Sequence, residues 1–176
     1  MDRRRFALPA LALVVLAGCG SSDDGDDFSP ADVEFARQMI PHHAQAVEMA
    51  GMLPPDGVSP ELVELAAAVE DAQQPEIDRM TAMLDRWGYV PPPLEGGHAH
   101  EMAGMLTDDD LAALDAATGA QFERMWLTMM IEHHEGAIAM ARAQLDDGID
   151  PEARELAEQI VDTQEEEIAR MERMLG

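Results

Sequence analysis

Apolar residues recur at intervals of three and four along four stretches of this chain, and each stretch opens with a helix-start signature. The first opens at Ser29-Pro30-Ala31-Asp32 and is expected to run to about Leu53, where Pro54-Pro55-Asp56-Gly57 stops it. The second opens at Ser59-Pro60-Glu61 and runs to Trp87-Gly88. The third opens at Thr107-Asp108-Asp109-Asp110, with a break expected near Gly119, and ends at Leu145. The fourth opens at Asp150-Pro151-Glu152 and continues to the last residues. Each start pairs a side-chain cap with proline at the first helical position or acids in the first turn. Nothing reads as a strand, and Pro91-Pro92-Pro93 with Gly96-Gly97 marks one long loop.

The pattern is duplicated. Residues 32–85 align without a gap onto 123–176, with roughly 22 of about 54 positions identical. The predicted organisation is a first hairpin over 29–88, a loop over 89–106 and a second hairpin over 107–176. A hairpin alone leaves an apolar stripe exposed, so two of them predict an all-α fold, an antiparallel four-helix bundle.

The repeated positions locate the stripe that faces the shared core. In the first helix they are Met39, His42, His43, Ala46, Met49 and Ala50, answered by Met130, His133, His134, Ala137, Met140 and Ala141. The second helix reads Leu65, Val69, Gln73, Glu76, Ile77, Met80, Met83 and Leu84. The fourth repeats it as Leu156, Ile160, Gln164, Glu167, Ile168, Met171, Met174 and Leu175. Every inward face therefore carries polar groups near mid-length, and these should form one layer across the bundle, flanked by methionines. Pro41 and Pro75 lie inside predicted helices, beside His42 and Glu76, where each removes a backbone hydrogen bond. Their counterparts Glu132 and Glu166 are not prolines, so the first hairpin is expected to be the distorted one.

The ends of the chain change the setting. Arg3-Arg4-Arg5 followed by an apolar run over 6–16 has the form of an export signal, too short for a mature transmembrane helix. Leu16-Ala17-Gly18-Cys19 resembles a bacterial lipobox, in which Cys19 becomes the lipidated first residue; Arg3-Arg4-Arg5-Phe6 also resembles a twin-arginine signal. The expectation is a lipoprotein signal peptide over 1–19, an acidic tether over 20–28 and a folded domain over 29–176, outside the cytoplasm and held to the membrane by its lipid alone. The full chain carries a net charge of −25, and cleavage at Cys19 would leave about −27 with no lysine. Such a surface repels nucleic acid and anionic membranes and concentrates cations. Cys19 is the only cysteine, so disulfides and thiolate cages are excluded, and soft metal ligands would have to come from the 14 methionines.

Two candidate sites follow. The first is the layer of His42, His43, His133 and His134 with Met39 and Met130 beside it. Adjacent helical residues point about 100° apart, so neighbouring histidines cannot easily chelate one ion by themselves and each needs a partner on another helix. Imidazole with thioether suits Cu(I) or Ag(I), and imidazole with carboxylate suits Cu(II) or Zn(II). The same layer also reads as a metal-free network in which the histidines bond Gln73, Glu76, Gln164 and Glu167. The second candidate is the loop His98-Ala99-His100-Glu101-Met102-Ala103-Gly104-Met105, which supplies His98, His100, Met102 and Met105. A ferritin-type oxidase is disfavoured, because no predicted helix carries its Glu-x-x-His spacing.

The paired Met-Ile-x-His-His-x-x-Ala-x-x-Met-Ala motifs resemble those of the bacterial family called domain of unknown function 305. So do the Gln-x-x-Glu-Ile-x-x-Met segments at Gln73–Met80 and Gln164–Met171, and Gly119-Ala120-Gln121-Phe122 before the second histidine pair. The resemblance covers nearly all of Ser29–Gly176. It implies a ferritin-like four-helix bundle, frequently exported, and a copper-related role, since the family includes a periplasmic copper-binding protein. Family members often carry Met-Pro-Gly-Met-Met before the third helix; here Met102-Ala103-Gly104-Met105-Leu106 lacks the proline and one methionine. The expected function is copper buffering, delivery or tolerance, with the metal-free bundle as the alternative. Oligomeric state is not legible.

Overall fold

A computed structural model describes residues 27–94 and 102–176. The signal segment, Cys19, most of the tether, His98 and His100 lie outside the described residues. The elements are α1 (Pro30–Gly51), α2 (Pro60–Arg86), α3 (Asp108–Asp115), α4 (Gly119–Asp147) and α5 (Pro151–Leu175). The caps are the expected ones. Ser29 and Thr107 each form a reciprocal box with the aspartate three residues on. The Ser59 hydroxyl accepts from the Leu62 N–H at 3.2 Å, and Asp150 from the Ala153 N–H at 2.8 Å. The break near Gly119 is real: α3 ends at Asp115 and α4 restarts at Gly119, whose φ of +55° only glycine adopts freely. Pro41 and Pro75 both sit inside unbroken helices.

The two hairpins, α1 with α2 and α4 with α5, meet through α1 against α4, and more lightly through α2 against α5. Helix α1 runs antiparallel to α4, since Asp32 meets Gln144, His42 meets His133 and Met49 meets Trp126. Of these pairs, His42 with His133 is its own image under the repeat offset. A pseudo-twofold axis therefore passes through the contact of His42 with His133. All four neighbouring helix pairs are antiparallel, while α2 and α4 run the same way. The connection between them is therefore a crossover, whose described residues 103–106 lie against α1 and α4.

The core divides at the axis. On one side Met39, Ile40, Met80, Met83, Leu84, Leu156 and Ile160 pack together; on the other, Met49, Leu62, Leu65, Phe122, Trp126, Met130 and Met171. Each fully buried large side chain contributes about 1.5–3 kcal/mol relative to exposure. Phe28 stacks on Trp87 at 5.2 Å and packs against the first cluster. The inward stripe of α5 is less covered than expected at its end: Leu175 is 38 % exposed, whereas its counterpart Leu84 is fully buried.

Carboxylates lock the register at both ends. Asp32, fully buried, accepts from Ser29, from the Gln144 amide, and from the N–H groups of Ile149 at 3.1 Å and Asp150 at 3.2 Å in the α4–α5 turn. Its repeat partner Glu123 does the same for the α1–α2 turn, accepting from the Ser59 N–H at 3.0 Å and the Ser59 hydroxyl at 2.7 Å. Burial raises the Asp32 pKa, but the hydrogen bonds from Gln144, Ser29 and Ile149 outweigh it and hold the carboxyl below its ordinary 3.8. Asp32→Ala strands several buried donors and is expected to cost about 3 kcal/mol by denaturant titration. A depressed folded pKa contributes stability above the unfolded value and loses it as pH falls through the folded one. The wild type should therefore shed this contribution below about pH 4, and the variant's acid limb should be shallower there.

Candidate metal centre

The four paired histidines are buried, at 0 % exposure for His42, His43 and His134 and 1 % for His133. They occupy the seam because they share the helical face of Met39, Ala46 and Met49, as the stripe predicts. His42 and His133 meet across the axis with ring centroids 3.8 Å apart and planes tilted by 39°, and His134 lies 6.3 Å from His133.

Three of the four rings are oriented from behind. Nε2 of His43 meets the Glu76 carboxylate at 2.7 Å, and Nε2 of His134 meets Glu167 at 2.7 Å. Nε2 of His42 faces the Ala103 carbonyl at 3.2 Å. A carbonyl or carboxylate only accepts, so Nε2 donates in each case, and in the neutral ring Nδ1 then carries the lone pair. All four Nδ1 atoms are buried without a hydrogen-bond partner, and so is Nε2 of His133. Burial first, then the neighbouring His43, pushes the His42 pKa down to about 3. Burial and the adjacent imidazoles hold His133 well below 6.5. These two rings are neutral at pH 7, with lone pairs available to a metal.

Gln73 and Gln164 lie in the layer but do not bond the histidines: both polar atoms of the Gln73 amide and Oε1 of Gln164 are buried without partners. The expected network is thus half formed, through the glutamates alone. Met39 and Met130, each one turn before a histidine pair, are fully buried. Met102 and Met105 flank the Ala103-Gly104 step that crosses the seam and are half-buried. No three His, Cys, Asp or Glu side chains converge as a ready metal cage among the described residues. An ion in the layer would need thioether ligands beside the imidazoles. That donor set fits Cu(I) or Ag(I) better than Zn(II).

The crossover supplies residues that pattern reading passed over. It lies on α4 so closely that a Cβ on Gly136 would stand 2.0 Å from the Ala103 carbonyl oxygen, and one on Gly104 would stand 2.6 Å from the Glu132 oxygen. Gln45 then grips its far side, donating from Nε2 to the Leu106 carbonyl at 3.0 Å and accepting the Leu106 N–H at 2.8 Å. Gln45 and Gly136 are repeat partners. In a block where Ile40, His42, His43, Ala46, Met49 and Ala50 all recur, these two differ, and that difference was the available signal.

The family model for DUF305, a domain of unknown function, matches residues 32–175. The chain belongs to the DUF305 family. Among solved structures, a DUF305 fragment from Deinococcus radiodurans is 37 % identical with a TM-score of 0.76, covering 84 % of this chain and 97 % of that one. A DUF305 protein from Streptomyces coelicolor, assigned as secreted, is 33 % identical with a TM-score of 0.70, covering 82 % and 91 %. CopM in its Cu(I)-bound form is 31 % identical with a TM-score of 0.69, covering 81 % and 94 %. CopM has also been solved bound to Cu(II) and to silver. A search of curated proteins finds no match.

The crossover's fit is directly testable. Gly136→Ala forces it off the seam and should cost about 1–3 kcal/mol. Gln45→Ala should cost about 1–3 kcal/mol through loss of its two hydrogen bonds to the Leu106 backbone. Hydrogen exchange at the Leu106 N–H should rise in both variants.

Proposed function

We propose that this protein binds Cu(I), and Ag(I) as its surrogate, in the histidine layer, and serves copper buffering, delivery or tolerance outside the cytoplasm. One observation carries the reading: four buried imidazoles present unpartnered Nδ1 atoms, three of them with Nε2 fixed by a carboxylate or carbonyl. Outer acceptors that fix tautomer and ring orientation are the usual companions of metal-bound histidine. Stranding so many polar atoms in one layer of a dry core is otherwise costly. Met39 and Met130 would supply the soft ligands, with Met102 and Met105 of the crossover beside them. His98 and His100 extend the same donor chemistry along the loop. The likeness to CopM, solved with Cu(I), Cu(II) and silver, supports the choice of metal.

Export and tethering rest on the Arg3-Arg4-Arg5 leader and the Leu16-Ala17-Gly18-Cys19 lipobox, and a relative assigned as secreted supports the compartment. Among the described helices none is long and apolar enough to cross a membrane, so attachment would fall to the lipid on Cys19. Cys19→Ser should release the protein from the membrane fraction.

The bonds of His43 to Glu76 and of His134 to Glu167 favour a second reading, a metal-free bundle braced by its polar layer. Titrating residues 20–176 with Cu(I) against a competing chelator separates the two. Binding tighter than micromolar, weakened at least tenfold in His42→Ala/His133→Ala and in Met39→Leu/Met130→Leu, is expected. A melting temperature indifferent to Cu(I), with no binding above micromolar strength, would establish the metal-free bundle.

A further inference from the structure

The aromatic residues of the described chain divide by place. Phe35, Phe122 and Trp126 are buried in the two apolar clusters. Phe28, Trp87 and Tyr89 are not, and they stand together at the end of the bundle where α1 begins. Phe28 lies flat on Trp87 and meets Tyr89 edge-on at 6.3 Å. The end of α2 fixes the group: Gly88 turns at a φ of +79°, and the Tyr89 N–H closes on the Leu84 carbonyl at 2.9 Å. Tyr89 is 41 % exposed and Val90, which follows it, 82 %. Ile149, 56 % exposed, belongs to the same end, because its N–H and the Ser29 N–H share the Asp32 carboxylate.

The bundle does not need such a group to close an end. At the opposite end Phe122 and Trp126 lie in the core, and the repeat counterpart of Phe28 is Gly119. Tyrosine and tryptophan beside exposed aliphatic side chains favour a membrane interface, where the rings stay apolar and their polar edges meet headgroups. The position of the group brings that surface within reach. Cys19, the proposed lipidation site, precedes Phe28 by nine residues, at most about 30 Å of chain. A patch so tethered meets the bilayer at an effective concentration on the order of millimolar, so weak apolar contact is enough to seat it. Asp27, Asp85, Asp146 and Asp147 flank the patch against Arg86 and Arg154, which favours zwitterionic over anionic headgroups. The same acids, in a chain of net charge −25, oppose face-to-face pairing with a second copy.

We propose that this end of the bundle, Phe28, Trp87 and Tyr89 with Val90 and Ile149, docks on the zwitterionic surface of the membrane that carries the chain's lipid. The docking rests on the tethering reading above. It stands the helices on end and holds the histidine layer about 15 Å above the patch, ten residues along α1 from Asp32 to His42.

Cys19 is the only cysteine, so residues 19–176 can be coupled through its thiol to a maleimide lipid, which supplies the tether whether or not cells do. Brominated phosphatidylcholine in the vesicle quenches indole on contact. The chain has two tryptophans and Trp126 is fully buried, so quenching reports Trp87. On phosphatidylcholine vesicles about a third of the emission should be lost. Val90→Glu/Ile149→Glu should cut that quenching about threefold at an unchanged melting temperature, since both side chains are exposed. Val63→Glu, at the opposite end and 50 % exposed, should leave it unchanged. Quenching absent in the wild type, or unmoved by the double substitution, overturns the docking. Quenching that rises with added phosphatidylglycerol overturns the zwitterionic assignment. A dimer of untethered residues 20–176 in sedimentation, broken by Val90→Glu, gives the patch to a second copy and overturns the docking too. Tethering is judged apart, by cell fractionation of Cys19→Ser. Unchanged fractionation overturns the tether and the docking with it, whereas release together with absent quenching overturns the docking alone.

Discussion

The antiparallel seat of α1 on α4 governs everything else in this molecule. It is held at each end by a carboxylate that belongs to one hairpin and is consumed by the turn of the other, Asp32 at Ile149 and Asp150, Glu123 at Ser59. Those groups leave no freedom to slide by a turn without stranding buried donors. With the register fixed, His42 must fall on His133, and the twofold axis of the repeat must run between two imidazoles. Two apolar clusters then seal the layer above and below, which is why a set of polar groups can stay dry in a small bundle.

The chemistry of the layer follows from that dryness. Burial strips water from the rings and keeps His42 and His133 neutral, while an acceptor behind Nε2 holds three of the four rings in one tautomer. The result is a group of oriented lone pairs with buried thioethers one turn away. Such an arrangement costs stability in the metal-free protein, and under the proposed function a soft cation filling it would recover that cost and link folding free energy to copper supply.

Much of this was legible in the residues. Caps at Ser29, Ser59, Thr107 and Asp150 set the helix starts, and the repeat offset placed all four histidines on inward faces. The pairing of His43 with Glu76 and of His134 with Glu167 was within reach, because both residues lie on predicted stripes at matching depth. The idle amides of Gln73 and Gln164 were not, since hydrogen-bond reach depends on ångström-scale helix offsets that periodicity does not carry. Nor was the path of the crossover. Its contacts with Gly136 and Gln45 are long-range backbone packing, visible beforehand only as a mismatch between repeat partners.

That mismatch fixes the order of the two halves in the gene. A chain that began with the second hairpin and ran on into the first would bring its connecting segment down from the other side of the axis. It would land on Gln45, which has a side chain where the segment needs bare backbone, and would reach for an anchor at Gly136, which has none. With an amide at Gln45 and bare backbone at Gly136, the two halves are not interchangeable.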